Sequence, residues 1–411
     1  MNAPERRPSD AVDVAVVALG PGPLTEVSLQ THIAPLFSRV RAAFRDTVYL
    51  ANHSLGRPLN AGDDDVREGM AAWYGRLDDA WTPWSAEMQA FRTRLGQLLN
   101  APRQDCVVPR TSAGQGLRAI LNTFDATARV VATRGEFDSL DVILREYARR
   151  GRVELTLVEP RDDDRFDTAD ILGAIGSAVD LVVVSQVMFT TGQRLSDLPD
   201  IVTATHRAGG RLLLDVYHAL AVFPVDVTAL DVDFAVGGSY KYLRGGPGAC
   251  FLYLHPRHLD GSLRTLDTGW FAKRDPFSYA RPDPPLLGNG GDAFLESTPP
   301  VLPFYQARAG QRLALALGVE RLRVHSLDLQ LRLTQMLCER GFSAQGGTQS
   351  RGAFVVVCDD RAEAWADQLR GARVIADARG RYLRLCPDLL TTQVELIAAA
   401  DALSVIRSQH A

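Results

Sequence analysis

The feature that most constrains the fold is an alternation of short apolar segments with helical patterns between about residues 105 and 255. The segment Asp180–Gln186 is a typical apolar run, and the amphipathic stretch Asp141–Arg150 is typical of the helices between such runs. Parallel strands need a crossover connection, so this alternation predicts an α/β domain with a mostly parallel sheet. Such sheets bind ligands at the carboxyl ends of their strands, where we therefore look for a site.

Composition narrows the class of protein. The chain has 411 residues, enough for two domains, and its formal net charge of −4 gives no reason to expect nucleic acid or an anionic membrane as a partner. The five cysteines form no C-x-x-C pair, which argues against a disulfide framework or a zinc site and favours a cytoplasmic location. No stretch approaches the roughly 20 apolar residues of a membrane span. We expect residues 1–10 to be a disordered leader.

Two residues point to a particular chemistry. Lys241 lies between glycine-bearing turns, just after the predicted strand Asp233–Val236, and Asp215 follows the apolar run Leu212–Leu214. A desolvated lysine is a good nucleophile, and a buried carboxylate can keep a pyridinium nitrogen protonated. The pair therefore predicts a Schiff base between Lys241 and pyridoxal 5′-phosphate (PLP), with Asp215 at the ring nitrogen.

Other residues near predicted strand ends have both a functional and a structural interpretation. Thr111 and Ser112 precede a helix, where they could bind a phosphate or simply cap the helix. Phe137 could stack on the cofactor ring or fill the core, and Asn52 and His53 could border a pocket or form a turn.

Coarse elements complete the prediction. We expect a helix over Ser28–Tyr49, a long irregular segment over 260–300, and a helix over Tyr305–Ser326, after which a second small domain follows. The predicted division is an N-terminal segment, residues 1–60, that packs with the small domain, a large PLP-binding domain, residues 61–300, and a small C-terminal domain, residues 301–411.

Several motifs lie along nearly the whole chain. They are Asn52-His-Ser-Leu-Gly56, Phe137-x-Ser139, Thr190-x-Gly-Gln193, Asp215-x-x-His218, Ser239-Tyr-Lys-Tyr-Leu243, Gly246-Pro-Gly248, Gly269-Trp270 and Arg384-x-x-Pro387. Together they resemble the class V aminotransferase group of fold-type I PLP enzymes, and within it the kynureninases. The resemblance implies a large domain with a mostly parallel sheet plus a small α+β C-terminal domain.

The resemblance also implies roles. Lys241 and Asp215 would be catalytic, and Arg384 would bind the substrate α-carboxylate with Asn52 and His53 nearby. Cofactor contacts would come from Thr111, Ser112, Phe137, Asp215, His218, Tyr240, Lys241, Trp270 and Thr298. Family members are homodimers, so Trp270 and Thr298 would act across the subunit interface, and no metal is expected. Arg384 could instead be an edge-strand charge that faces water.

Departures from the kynureninase pattern leave the substrate open. Thr298 stands where kynureninases usually carry Asn, and their second acidic contact is either missing, with Leu140 in its place, or moved to Asp138. The resemblance implies a hydrolase that cleaves the Cβ–Cγ bond of kynurenine or a related aryl-keto amino acid and releases L-alanine. The alternatives are an aminotransferase, epimerase or β-lyase that acts on a different amino acid, or a scaffold without activity, against which Lys241, Asp215 and Arg384 argue.

Overall fold

A computed structural model describes residues 10–409. The strands within this range are β1 Val48–Tyr49, β2 Val107–Arg110, β3 Ala128–Thr133, β4 Val153–Val158, β5 Leu181–Ser185, β6 Arg211–Asp215, β7 Phe234–Gly238, β8 Cys250–Leu254, β9 Ala344–Gln345, β10 Val355–Cys358, β11 Val374–Ile375, β12 Asp377–Arg379 and β13 Tyr382–Leu385.

The helices of the same range are α1 Asp10–Leu19, α2 Glu26–His32, α3 Ser38–Ala43, α4 Ala61–Arg76, α5 Trp81–Leu99, α6 Ala113–Leu121, α7 Asp138–Arg149, α8 Thr168–Ile175, α9 Leu198–Arg207, α10 Val301–Leu317, α11 Val319–Glu339, α12 Ala362–Gly371 and α13 Gln393–Ser408. None of the helices between residues 10 and 409 has the length and apolar character needed to cross a membrane.

Seven strands form the central sheet, in the order β2-β8-β7-β6-β5-β3-β4. Strands β4, β3, β5, β6 and β7 run parallel, whereas β8 pairs antiparallel with both β7 and β2. The predicted α/β class with a mostly parallel sheet is therefore confirmed. The carboxyl ends of β5, β6 and β7 meet at one edge, and Ser185 and Asp215 are direct partners there.

Both faces of this sheet are covered. Val182 and Val184 pack into one apolar cluster, whereas Leu181 and Val183 pack into the cluster on the opposite face. All five residues of β5 are buried, as expected for a central parallel strand between two helical layers. Burial on both faces explains why the strand reads in sequence as an unbroken apolar run.

A smaller sheet has the order β12-β13-β10-β9 and packs with α11, α12 and α13 around its own core. The chain's beginning joins this part of the molecule, because β1 pairs in parallel with β11. Arg384 lies in β13, which is flanked by β12 and β10, so the alternative of an edge-strand charge is wrong. The exact domain boundaries stay a prediction.

Two predicted helices are interrupted. The region predicted as one helix over Ser28–Tyr49 contains α2, a 3-10 turn with Pro35 near its start, and α3, and it reaches β1 at Val48. The helix predicted to run through Ser326 ends at Gly318, whose φ of 81° is a left-handed conformation that separates α10 from α11. Of the predicted leader, residues 1–9 lie outside the described residues, and α1 begins at Asp10.

Candidate active site

Lys241 sits in a tight turn between β7 and β8. The turn is closed by a hydrogen bond from the Gly245 amide to the Ser239 carbonyl, 2.7 Å, and by one from the Arg244 amide to the Lys241 carbonyl, 3.0 Å. Gly246 has a φ of 65°, which a residue with a side chain would adopt only with strain. The antiparallel return of β8 thus holds the lysine at the carboxyl edge of the sheet, where its side chain is buried.

Asp215 is the last residue of β6, next to β7, and its carboxylate accepts a hydrogen bond of 2.7 Å from the Tyr217 amide. Burial raises the pKa of Asp215 to about 6, although the amide of Tyr217 and the charge of Lys241 oppose the shift. Burial likewise lowers the pKa of Lys241 to about 7, while Asp215 opposes. Lys241 is therefore substantially neutral, and nucleophilic, near neutral pH.

One cavity of about 130 Å³ brings most predicted cofactor residues together. Its lining includes Thr111, Ser112, Phe137, Asp215, His218, Tyr240 and Lys241. His218 is buried, and its Nε2 lies 2.6 Å from Lys241 Nζ. A buried lysine, a buried carboxylate and a helix N-terminus share this space.

The helix N-terminus in this cavity is held by a glutamine that sequence reasoning passed over. Ser112 is the N-cap of α6, and its Oγ accepts the Gln115 amide at 3.1 Å. The amide and hydroxyl of Thr111 donate to Gln115 Oε1 at 2.8 and 3.0 Å. The Gln115 side chain in turn donates to Glu296, so it ties this turn to the segment before Thr298. The position of Gln115 in the first turn of α6 was the only indication of this role in the sequence.

Aromatic rings form another wall of the cavity. The Phe137 ring centroid lies 5.5 Å from Lys241 Nζ, and Phe189 meets Phe137 edge-on at 5.3 Å between centroids. The Tyr217 centroid lies 5.0 Å from Lys241 Nζ. Phe189 and Tyr217 were not predicted. Phe189 directly precedes the motif Thr190-x-Gly-Gln193, and Tyr217 lies inside the motif Asp215-x-x-His218. A flat ring entering the cavity would meet aromatic faces and edges.

Arg384 approaches from the small sheet and already has an anionic partner. Its Nε and Nη2 donate to the two oxygens of Asp377 at 2.9 and 2.6 Å, and its Nη1 donates to the Phe189 carbonyl at 2.5 Å. Asp377 also accepts from Ser54 Oγ and contacts His53 Nε2 at 2.6 Å. Burial raises the pKa of Asp377, but His53 and Arg384 outweigh it, and the net shift is well downward. Asp377 was missed by sequence reasoning.

Asn52 and His53 lie beside this ion pair and are both buried. Asn52 Nδ2 donates to the Cys386 carbonyl at 3.1 Å. Burial, and next the charge of Arg384, lower the pKa of His53 to about 4, so its imidazole is neutral. Asn52 Oδ1 and His53 Nδ1 are buried without a hydrogen-bond partner. Such atoms carry a desolvation cost, which a polar ligand can relieve.

A family comparison decides what kind of protein has this arrangement. A family model described as class V aminotransferase matches residues 77–358, more than half of the chain. The chain belongs to the class V aminotransferase family. It is accordingly a PLP-dependent enzyme, and Lys241, Asp215 and the helix N-terminus at Ser112 supply the chemical groups that PLP requires.

Curated relatives of this class V enzyme include a kynureninase from Deinococcus radiodurans, 30% identical over 317 residues, which cover 72% of this chain and 73% of that protein. An uncharacterized aminotransferase, YcbU of Bacillus subtilis, is 30% identical over 351 residues, 83% of this chain and 90% of that protein.

Solved structures share the fold. The cystine C–S lyase C-DES, in complex with its product cysteine persulfide, has a TM-score of 0.79 at 17% identity and covers 88% of this chain and 98% of its own. A cysteine desulfurase from Thermococcus onnurineus has a TM-score of 0.76 at 16% identity, covering 90% and 98%. The class V enzyme therefore has the predicted fold-type I architecture.

Two predicted cofactor residues of the class V enzyme lie away from the cavity of their own chain. Trp270 packs edge-on against Trp81 at 5.9 Å between ring centroids, and its Nε1 donates to the Pro276 carbonyl at 2.6 Å. Thr298 is exposed. Both assignments concern a neighbouring subunit, and they stay predictions.

A buried carboxylate below the cavity was also missed. Glu136 accepts from the hydroxyls of Thr133 and Ser185, both at 2.6 Å, and from the Ser185 amide at 3.2 Å. Ser185 is the strand partner of Asp215. Burial raises the pKa of Glu136 to about 7 despite these donors, and the charge of Asp215 adds to the shift. Directly before Phe137, the residue reads in sequence as an ordinary polar loop position.

Proposed function

We propose that this class V enzyme is a kynureninase-like hydrolase. It would cleave the Cβ–Cγ bond of kynurenine or of a related aryl-keto amino acid and release L-alanine and an aryl acid. The buried cluster of Lys241, His218 and Asp215 carries the assignment of chemistry. The similarity to curated kynureninases supports the choice of this reaction within the family.

The cofactor end of the site has a division of labour. Bound PLP supplies an electron sink for the bond changes at the amino acid's α-carbon. Lys241 would hold the cofactor covalently, and its neutral amine, when free, would take the α-proton. Asp215 would keep the ring nitrogen protonated, because a buried carboxylate needs a positive partner. The remaining cavity residues hold the ring and phosphate: Thr111, Ser112, Phe137, His218 and Tyr240.

The substrate end lies at the small sheet. Arg384 binds the α-carboxylate, a task suited to a planar guanidinium that can donate two parallel hydrogen bonds. The unpartnered atoms Asn52 Oδ1 and His53 Nδ1 provide polar contacts beside it. Phe189 and Phe137 shape the apolar volume between the two ends, which suits an aryl side chain.

A second candidate keeps the cofactor and changes the outcome. The similarity to the uncharacterized aminotransferase YcbU covers more of this chain than the similarity to the Deinococcus kynureninase, 83% against 72%. Thr298 and Leu140 also depart from the kynureninase pattern. Transamination, epimerisation or β-elimination of another amino acid is the alternative. In either case we propose a cytoplasmic homodimer in which Trp270 and Thr298 act across the interface.

The test is a paired assay on purified protein. Visible absorbance reports bound PLP, and alanine release is then measured with L-kynurenine and 3-hydroxykynurenine. Lys241→Ala is the control, and it should abolish both covalent PLP binding and alanine release. Absorbance without alanine release would overturn the kynureninase assignment and favour the second candidate.

A further inference from the structure

Behind Lys241, three side chains form a continuous row in which Lys241 and His218 are buried and Tyr242 is half-buried. His218 Nε2 lies 2.6 Å from Lys241 Nζ, and the other ring nitrogen, His218 Nδ1, lies 3.2 Å from the hydroxyl of Tyr242. His218 and Lys241 are only 6% and 5% exposed. Within the described residues, His218 is the sole hydrogen-bond partner of the Tyr242 hydroxyl. Tyr242 directly follows the reactive lysine in the sequence, but its hydroxyl is connected to Lys241 Nζ only by way of the His218 imidazole.

The row restricts where the imidazole proton sits. Burial holds the pKa of His218 well below its usual value, and the charge of Arg384 acts in the same direction, so the ring is neutral and has one donor and one acceptor. His218 Nδ1 is the one acceptor that the described residues offer the half-buried Tyr242 hydroxyl, and a hydroxyl that donates to nothing loses a hydrogen bond, so the Tyr242 proton goes to Nδ1. The ring proton is then on Nε2 and points at Lys241 Nζ.

A proton at Nε2 favours one charge state of the lysine. An ammonium group has three donors and no acceptor, so it would face Nε2–H donor to donor. A neutral amine has a lone pair that accepts this hydrogen bond. We propose that Tyr242 is a positioning residue: it fixes the Nε2–H tautomer of His218 and thereby keeps Lys241 as a neutral amine, ready to react with the PLP aldehyde.

Other charged groups around the row shift the pKa of Lys241 in both directions. Asp215 and Asp377 favour the ammonium form of Lys241, whereas Arg384 and Arg379 favour the amine. His218 itself faces Lys241, Arg384 and His53. These groups are unchanged by a substitution at Tyr242, so their contribution stays constant in the comparison below.

The charge state of Lys241 can be measured from the rate at which the full-length protein, after removal of PLP, binds PLP covalently again. We call this reaction PLP capture. The Nζ lone pair forms a bond to the aldehyde carbon, and the carbonyl oxygen leaves as water after two proton transfers from the amine. Only the neutral amine reacts, so the pH midpoint of the capture rate reports the protonation of Lys241. The readout does not depend on which amino acid the enzyme transforms.

The test compares wild type with Tyr242→Phe. We expect the wild-type midpoint near pH 7, as the pKa of Lys241 indicates, and an upward shift of about one pH unit in the variant, the size that one lost hydrogen bond allows. Capture at pH 7 then slows several-fold, and the two proteins converge above pH 9. Tyr147→Phe is the matched control, because that hydroxyl bonds Asn122 at 3.0 Å away from the site.

A double-mutant cycle isolates the route. If Tyr242 acts through the imidazole, Tyr242→Phe shifts nothing further in a His218→Gln background. An unchanged or lowered midpoint in Tyr242→Phe, or an additive shift in the double variant, would overturn the proposal. If the Phe variant fails to fold, ¹⁵N-histidine NMR of the wild-type protein decides: a protonated Nε2 at His218 supports the proposal, and a protonated Nδ1 contradicts it.

Discussion

At the substrate end of the site, a single carboxylate organises three side chains from two parts of the chain. Asp377 binds Arg384 through both oxygens and also holds His53 and Ser54. Sequence reasoning found Arg384 but missed Asp377, because Asp377 lies in a polar run that reads as surface. Its role depends on the antiparallel register of β12 and β13, which places Asp377 opposite Arg384.

Removing the charge of Asp377 should expose the anion-binding capacity of Arg384. Asp377→Asn leaves a guanidinium that is 3% exposed without its ionic partner, so we expect a loss of about 2–3 kcal/mol in unfolding free energy. A bound carboxylate restores the missing charge. L-alanine should therefore raise the melting temperature of the variant more than that of wild type, as measured by thermal unfolding.

The control for this substitution is Asp401→Asn, which removes an exposed pair with Arg340 in the same part of the molecule. It should leave both stability and the response to alanine unchanged. Equal stabilisation of wild type and Asp377→Asn by alanine would show that Arg384 does not receive the amino acid carboxylate.

Glu136 gives the molecule a pH dependence of known sign. Its pKa rises from 4.5 to about 7 on folding, so the folded state keeps a proton that the unfolded chain has already lost. This contribution to stability is complete below pH 4.5 and is lost as the pH rises to 7, by on the order of 1 kcal/mol per pH unit. Between pH 5 and pH 7, urea unfolding should show that wild type loses unfolding free energy relative to Glu136→Gln. Equal changes in the two proteins would contradict this account.

At the scale of elements, the turn that carries Lys241 is packed against the segment that follows β1. The Gly56 amide donates to the Tyr240 carbonyl at 2.8 Å, and a Cβ at position 56 would lie 1.9 Å from the Lys241 carbonyl oxygen. Backbone atoms meet here without an intervening side chain. The motif residue Gly56 is therefore explained by close approach of two backbones.

This packing predicts that Gly56→Ala displaces the turn. We expect a loss of about 1–3 kcal/mol in unfolding free energy together with weaker PLP binding, measured by urea unfolding and by PLP titration. Gly75→Ala is the matched control, because a Cβ there has no neighbour within 4 Å and α4 would gain helix propensity. Normal PLP binding by Gly56→Ala would show that the contact is dispensable.

Helices and strands with a clear apolar pattern along their length could be predicted from the sequence. Element ends that depend on the conformation of a single residue could not. The buried run of β6 placed Asp215 at a strand end, because a strand between two helical layers must be apolar throughout. The break at Gly318 was hidden, since one glycine within an apolar periodic stretch does not reveal a left-handed φ. Asp215 and Lys241 followed from the first kind of signal, an apolar pattern, whereas Phe189 and Tyr217 in the same cavity were missed.

At the scale of the whole molecule, Asp388 ties three parts of the chain. It bonds Arg57 from the segment after β1 and Arg244 from the turn after Lys241, the latter at 2.9 Å. Burial raises the pKa of Asp388, but the two arginines outweigh it and lower the pKa to about 2. The carboxylate is thus charged at all physiological pH values, and it stabilises the docking of the small sheet against the catalytic turn.

Neutralising this carboxylate should loosen the molecule as a whole. Asp388→Asn leaves two mostly buried arginines unpaired, so we expect a loss of about 3–5 kcal/mol in unfolding free energy by urea titration. Asp359→Asn, which breaks a solvent-exposed pair with Arg361, should cost less than about 1 kcal/mol. A similar cost for the two variants would contradict the proposed tie.

The pairing of β1 with β11 has a consequence for how such enzymes diversify. The family match covers residues 77–358, which include every proposed PLP contact, whereas Asn52, His53, Asp377 and Arg384 all lie outside it. The proposed PLP-binding residues thus lie in the middle of the chain, and these proposed substrate-binding residues lie towards its two ends. Because β1 pairs with β11, the two terminal regions should be exchanged together between relatives. Such an exchange should change the substrate preference while PLP binding is retained.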